Sequence, residues 1–354
     1  MTDIWVFLKL VRAGLWEEFN ENDNQNENHF LGLNWAEIRK LAVEQTVVGL
    51  VTAGFDKFTD LSLPFTEKLK FLGLCQLAEQ QNNAMNIATQ SLVKKLREVG
   101  IDVLLVKGQG IAQCYARPLW RSSSDIDLFF SKEDFPRAVD CLMPLASKIV
   151  QEALYTKSYG LMIDGWFVEL HGTLRNNLSS RMDRMLDEVQ KDTFDNRKVR
   201  VCRIGETDIL MPNADNDLFL LFTHFVRHFY KGGFALRQLC DWCRLMWTYQ
   251  DEIDSSLLES HLHKAGLMTE WKAFAAVAVD NLGMLKEAVP LYDDSAKWHQ
   301  KAEKILNHMF NLKNNKLSPA KVFPVNTLKF LPALMLNVNG LKMKERLFAN
   351  GYRQ

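Results

Sequence analysis

Apolar residues recur every three to four positions through most of the first hundred residues, the spacing of helices that bury one face. Ile4, Phe7, Leu8, Val11 and Leu15 make the first stripe, over 4–18, and the polar run at 20–29 that follows reads as a mobile loop. Asn34 with Glu37 has the pattern of a capping box, opening a helix that carries Ile38, Leu41, Ala42 and Gln45 toward Val48. Pro64 suits a first helical turn; the pattern then runs to Val99, and Gly100 stops it. At 101 the periodicity changes. Apolar runs at 101–106 and 125–130 predict strands around a short helix at 109–116, and Ser131 caps a helix over 132–146. Residues 149–155 and 159–163 read as extended, and Asp164-Gly165 is a tight-turn pair leading into a strand over 166–171. A helix near 179–192 and short strands at 198–204 and 209–211 follow. Beyond Pro212 helical spacing returns at 215–230, at 234–249 after Gly232-Gly233, and then at 255–265, 268–285 and 294–311. The expected fold class is α+β. A mixed core over 101–212 stands between an N-terminal helical region, 1–100, and a C-terminal one, 213–354.

The chemistry concentrates in that core. On a strand, Asp125 and Asp127 project to one face while Ile126, Leu128 and Phe130 point inward. Two carboxylates held side by side repel each other, a cost that a shared divalent cation offsets. Upstream, Lys107 and Gly108 interrupt an apolar run just before a helix, where backbone N–H groups can approach a phosphate. Lys107 and Arg121 are candidate phosphate ligands, Arg121 because its planar fork matches phosphate oxygens; each also suits a plain surface position. The strand at 166–171 places Glu169 and His171 on one face with Phe167; His171 suits either a ligand role or a structural hydrogen bond.

Further on, His224 and His228 share a helical face, and Cys240 and Cys243 follow. The four could make a His2Cys2 zinc site, but both pairs sit in strongly apolar helices, which favours packing in the core or beside a substrate cleft. Arg237 and Asp241, four residues apart on a helix, can pair on its surface or face the same cleft.

Bulk composition narrows the classes. The 354 residues hold 43 basic and 43 acidic side chains, so no global charge argues for nucleic acid as the main partner. No apolar run reaches the length of a membrane span, the N-terminus has no signal-peptide pattern, and six dispersed cysteines read as reduced thiols. The expectation is a soluble cytoplasmic protein. The last stretch, 313–354, carries eight Lys or Arg against Glu345 alone, a basic tail that reads as a solvated helix or a surface for an acidic partner.

The order Leu105-Val106-Lys107-Gly108, then Tyr115, Pro118, Arg121 and Asp125-Ile126-Asp127-Leu128, then Val168-Glu169-Leu170-His171, resembles the uncharacterised nucleotidyltransferase family of the DNA polymerase beta-like superfamily. Asp217-Leu218, His224, His228 and the run Leu236 to Asp241 extend the resemblance over most of 40–250. It implies a small nucleotidyltransferase sheet with Asp125 and Asp127 as metal ligands, Glu169 as the third acid and Gly108 against a triphosphate. Gln109 stands where the superfamily usually has Ser, and the spacing to the acid pair is longer than usual. The resulting expectation is a transferase using Mg2+ or Mn2+ to move a nucleoside monophosphate from a nucleoside triphosphate to a hydroxyl-bearing acceptor. Lys107, Gly108, Gln109 and Arg121 would grip the phosphates. The competing readings are a D-x-D glycosyltransferase using a nucleotide sugar and a nucleotide-binding regulator without turnover.

Overall fold

The computed structural model describes residues 2–18, 32–58, 61–153, 157–310 and 319–335. The polar run at 20–29 and most of the basic tail lie outside them. Four helices come first: α1 (Thr2–Leu15), α2 (Trp35–Glu44), α3 (Val48–Phe55) and α4 (Phe65–Glu98). Asn34 caps α2, its side chain accepting from the Glu37 N–H at 3.2 Å. The helix expected to continue toward Val48 stops at Glu44 instead, because Thr46 takes a positive φ of 54° and turns the chain into a second helix. α1 and α3 come into backbone contact at two glycines. A Cβ on Gly14 would lie 1.9 Å from the Leu50 carbonyl oxygen, and one on Gly54 2.2 Å from that of Leu10. Gly100, at φ 67°, ends α4, and Ile101 N–H reaches back across it to the Leu96 carbonyl at 3.0 Å.

The sheet has seven strands: β1 (Leu104–Leu105), β2 (Ile126–Phe129), β3 (Lys148–Ala153), β4 (Ser158–Ile163), β5 (Trp166–His171), β6 (Val199–Ile204) and β7 (Thr207–Pro212), ordered β3-β4-β5-β2-β1-β7-β6. β2 pairs parallel with β5 and antiparallel with β1; β1 pairs parallel with β7. The mixed sheet with helical regions on both sides matches the expected class. The strand expected over 101–106 is only two residues long, because Lys107 turns the chain into the short α5 (Gly108–Ala112). α6 (Asp134–Leu142) packs beside β5, and α7 (Ser180–Phe194) packs against the helices that follow the sheet.

The C-terminal region holds α8 (Ala214–Lys231), α9 (Leu236–Thr248), α10 (Ser255–Ala265), α11 (Met268–Asp280), α12 (Ala296–Phe310) and α13 (Pro324–Met335). α11 stops five residues before its expected end at 285. Phe222, Phe225, Trp242, Trp271 and Phe274 meet edge to face at centroid distances of 4.8–5.5 Å. These rings are fully buried, each worth roughly 1.5–3 kcal/mol of apolar transfer. Among the described residues no helix is long and apolar enough to cross a membrane.

Candidate active site

The parallel register of β2 and β5 sets Asp127 directly beside Glu169 and Phe129 beside His171. Alternation along β5 then brings His171 to the Glu169 face. The His171 ring stacks on Phe129 at 4.4 Å, which aims Nε2 at the acids: it lies 2.9 Å from Asp127 Oδ1 and 3.5 Å from Glu169 Oε2. Asp127 is 3% exposed, and its other oxygen lies 3.1 Å from Lys107 Nζ. Ligand atoms of Asp127, Glu169 and His171 all come within 4.8 Å of one another, a spacing that suits one small cation. Asp125 stands one residue before β2 and is not in that group.

Burial and the Asp127 charge push the Asp125 carboxyl above the usual range, with Lys107 opposing them. For His171, burial alone would favour the neutral ring, but the bonds to Asp127 and Glu169 outweigh it and raise the pKa. Three acids, an imidazole and an ammonium thus crowd one largely buried corner.

Lys107 has φ 72° and ψ −156°, backbone that glycine alone adopts easily and that costs other residues on the order of 1–3 kcal/mol. The next residue, Gly108, has φ 53°, and a Cβ there would stand 3.7 Å from the Asp125 carbonyl oxygen. The turn therefore lies against the acid-bearing segment and delivers the Lys107 ammonium to Asp127. Strain of this kind is retained where surrounding structure demands it, often at working sites.

The structure places Arg121 and Gln109 behind this corner. Arg121 is 5% exposed and donates Nε to Asp241 Oδ1 at 2.8 Å and Nη2 to Oδ2 at 2.7 Å. Tyr115 donates its hydroxyl to the same Asp241 at 2.7 Å. Burial works against Asp241 ionising, but Arg121 wins and holds the carboxyl below its ordinary range. Gln109 is also buried, bonding Asn82 at 3.2 Å and accepting from the Ser123 hydroxyl at 3.2 Å. Arg237 reaches Asp241 at 3.6 Å, the pairing expected from their spacing, and donates to Thr46 at 3.1 Å.

His224 and His228 both lie on the partly buried face of α8, their rings 4.6 Å apart. Burial and then the Lys107 charge push His224 well below its ordinary pKa. Cys240 and Cys243 are fully buried in α9, and burial raises both thiols. Sequence reading passed over Arg227 and Lys231, which continue the His224 and His228 face at helical spacing. The run of basic residues three and four apart inside an apolar helix was the available signal.

No curated protein matches the chain. Among solved structures it is similar to an antigenic nucleotidyltransferase-like protein from Paracoccidioides brasiliensis, with 14% identity, a TM-score of 0.32, and coverage of 52% of this chain and 87% of that one. The model of the uncharacterised nucleotidyltransferase family matches residues 32–283, from α2 through both acid-bearing strands to the end of α11, and the chain belongs to that family.

Proposed function

We propose that the chain is a metal-dependent nucleotidyltransferase moving a nucleoside monophosphate from a nucleoside triphosphate to a hydroxyl-bearing acceptor. The observation that carries this reading is the in-register pairing of Asp127 with Glu169 on parallel strands, closed by His171 and Lys107. The donor set fits a divalent cation: carboxylate oxygens suit Mg2+, and the imidazole nitrogen makes Mn2+ equally acceptable. Asp127, Glu169 and His171 would hold it, with Asp125 as the adjoining acid. Bound there, such an ion supplies Lewis acidity to the phosphoryl group and acidifies the attacking hydroxyl.

The remaining work falls to the chain's own groups. Lys107 carries a fixed ammonium beside Asp127, where negative charge develops on a transferred phosphate. Gly108, without a side chain, leaves the turn backbone open to phosphate oxygens. Glu169, at the edge of the corner, is the acid assigned to the acceptor hydroxyl. Arg121 and Gln109 enter as supports, because their polar atoms are already bonded to Asp241, Asn82 and Ser123. The family assignment favours nucleotidyl over glycosyl transfer.

The test is pyrophosphate release from each nucleoside triphosphate with Mg2+ or Mn2+ and a panel of hydroxyl acceptors. Metal-dependent release by the native protein, lost in Asp127→Asn, is the expected result. Metal-dependent nucleotide binding with no product from any pair would favour the regulator. Release of a nucleoside diphosphate from a nucleotide sugar would favour the glycosyltransferase.

A further inference from the structure

α8 is amphipathic in an unusual sense. One side is apolar and buried, with Phe222, Phe225, Val226 and Phe229 in the core. The other carries His224, Arg227, His228 and Lys231, spaced i, i+3, i+4 and i+7, all partly buried. A solvated helix face would let such cations spread into water. Here they are crowded and held partly out of it. Among the described residues neither the Arg227 nor the Lys231 side chain makes a hydrogen bond or ion pair.

Their surroundings explain where the face points. Lys107 and Arg237 both act on His224 by charge, and Glu169 acts on Arg227, so the stripe lies within electrostatic reach of the β2–β5 corner. Asp183 of α7 also acts on Arg227 and Lys231, but its Oδ1 already accepts the N–H groups of Asn176 and Asn177 at 3.1 and 3.0 Å. Burial, then the Arg227 charge, lowers Lys231 to about 8. Cations stacked against one another and withheld from water are costly unless an anion joins them.

From this arrangement we infer that the Arg227–Lys231 face of α8, with His224, His228 and Lys107, is a polyphosphate site receiving the phosphate chain of the donor nucleotide. It rests on the nucleotidyltransferase reading for the identity of the ligand, and on α8 itself for the site. Arg227 offers a planar fork to two phosphate oxygens, and Lys231 a mobile point charge at the helix end. His224, which burial pushes toward its neutral form, can still donate one ring N–H. The donor would then lie between two walls, its reacting phosphate toward Asp127 and Glu169 and the rest along α8.

The probe is inorganic tripolyphosphate, titrated calorimetrically into the full chain with EDTA present, so that no metal enters the readout. The native protein should bind it, more weakly as salt rises. Arg227→Gln combined with Lys231→Gln should weaken binding by ~10-fold or more. Arg227→Lys, which keeps the charge and loses the fork, should weaken binding less than Arg227→Gln, and Arg203→Gln, which removes an exposed cation on β6, should change nothing. A wild-type measurement guards against misfolding of the double variant. Acetylation of Lys231, read by peptide mass spectrometry, should slow when tripolyphosphate is added. Unaltered affinity in a folded double variant, no binding by the native protein, or acetylation indifferent to tripolyphosphate would each overturn the site. The two proposals fail separately. If Asp127→Asn leaves metal-dependent nucleotide binding intact while the α8 variants lose tripolyphosphate, the transferase reading falls and the anion site stands.

Discussion

Two charge clusters lie side by side in this protein and obey opposite rules. In the first, Arg121, Asp241 and Tyr115 satisfy one another through three hydrogen bonds of 2.7–2.8 Å. In the second, Asp125, Asp127 and Glu169 press like charges together, with Lys107 and His171 set against them. Facing that second group, α8 presents cations that also repel one another. Both clusters perturb the ionisation of their members, so perturbation alone cannot tell a site from a support. The direction separates them. Asp241 is held ionised by a matched partner despite its burial, whereas Asp125 is pushed toward its neutral form by burial and then by the Asp127 charge. A settled pair joins the loop before β2 to α9 and fixes the geometry; an unsettled group is poised for something the fold does not itself contain.

The largest expected effect breaks the settled cluster. Asp241→Ala leaves Arg121 buried without its partner and should destabilise the fold by roughly 3–5 kcal/mol in chemical denaturation. An effect below ~1 kcal/mol would show that water or another group replaces Asp241 there, and would remove the contrast.

Next comes an active-corner variant that should leave the fold alone. Glu169→Gln keeps size and one acceptor oxygen but loses charge. Its kcat should fall by ~100-fold or more, equivalent to ~2.7 kcal/mol, with nucleotide affinity little changed. Equal losses in binding and turnover would make Glu169 a general electrostatic residue instead.

A subtler comparison isolates the strain at Lys107. Lys107→Ala loses the ammonium and keeps the costly backbone, whereas Lys107→Gly loses the ammonium and relieves it. The Gly variant should be the more stable of the two by ~1 kcal/mol, although both should bind nucleotide poorly. Equal stabilities would mean that the turn relaxes once the Asp127 contact is gone.

The smallest effect concerns pH. Because the folded Asp125 pKa lies above the ordinary 3.8, its contribution to stability is present below that value and lost as pH rises through the folded pKa. In EDTA, Asp125→Asn should therefore raise the melting temperature at neutral pH by ~1–2 °C, the gain vanishing in acid. A gain that persists unchanged in acid would assign it to packing rather than to ionisation.

Much of the architecture was legible because periodicity reports burial directly. Asp164-Gly165 turned where expected, and the apolar faces of α7, α8 and α10 lie near their expected bounds. Less visible were breaks that depend on one unusual φ, as at Thr46, and the shortening of β1 by the Lys107 turn. Both are local conformations that composition does not announce. At the candidate site, alternation on each strand was readable, but the register that sets Asp127 beside Glu169 is a relation between distant segments. The fate of Arg121 was harder still. An arginine near an acid pair reads the same whether it faces a cleft or a buried aspartate 120 residues away, and only the tertiary structure gives it to Asp241. The α8 stripe was in plain sight, but reading its histidines as core or cleft packing passes over Arg227 and Lys231 beside them.

The central claim is that the Asp127 corner takes up nucleotide together with a divalent cation. Its most direct test is calorimetric titration of nucleoside triphosphate into native protein and Asp127→Asn, each with Mg2+ and with EDTA, alongside thermal melts. The account predicts that native affinity depends on Mg2+, that the variant binds at least ~10-fold more weakly with Mg2+ present, and that both melt cooperatively. Metal-dependent affinity that is the same in a folded Asp127→Asn protein would contradict it.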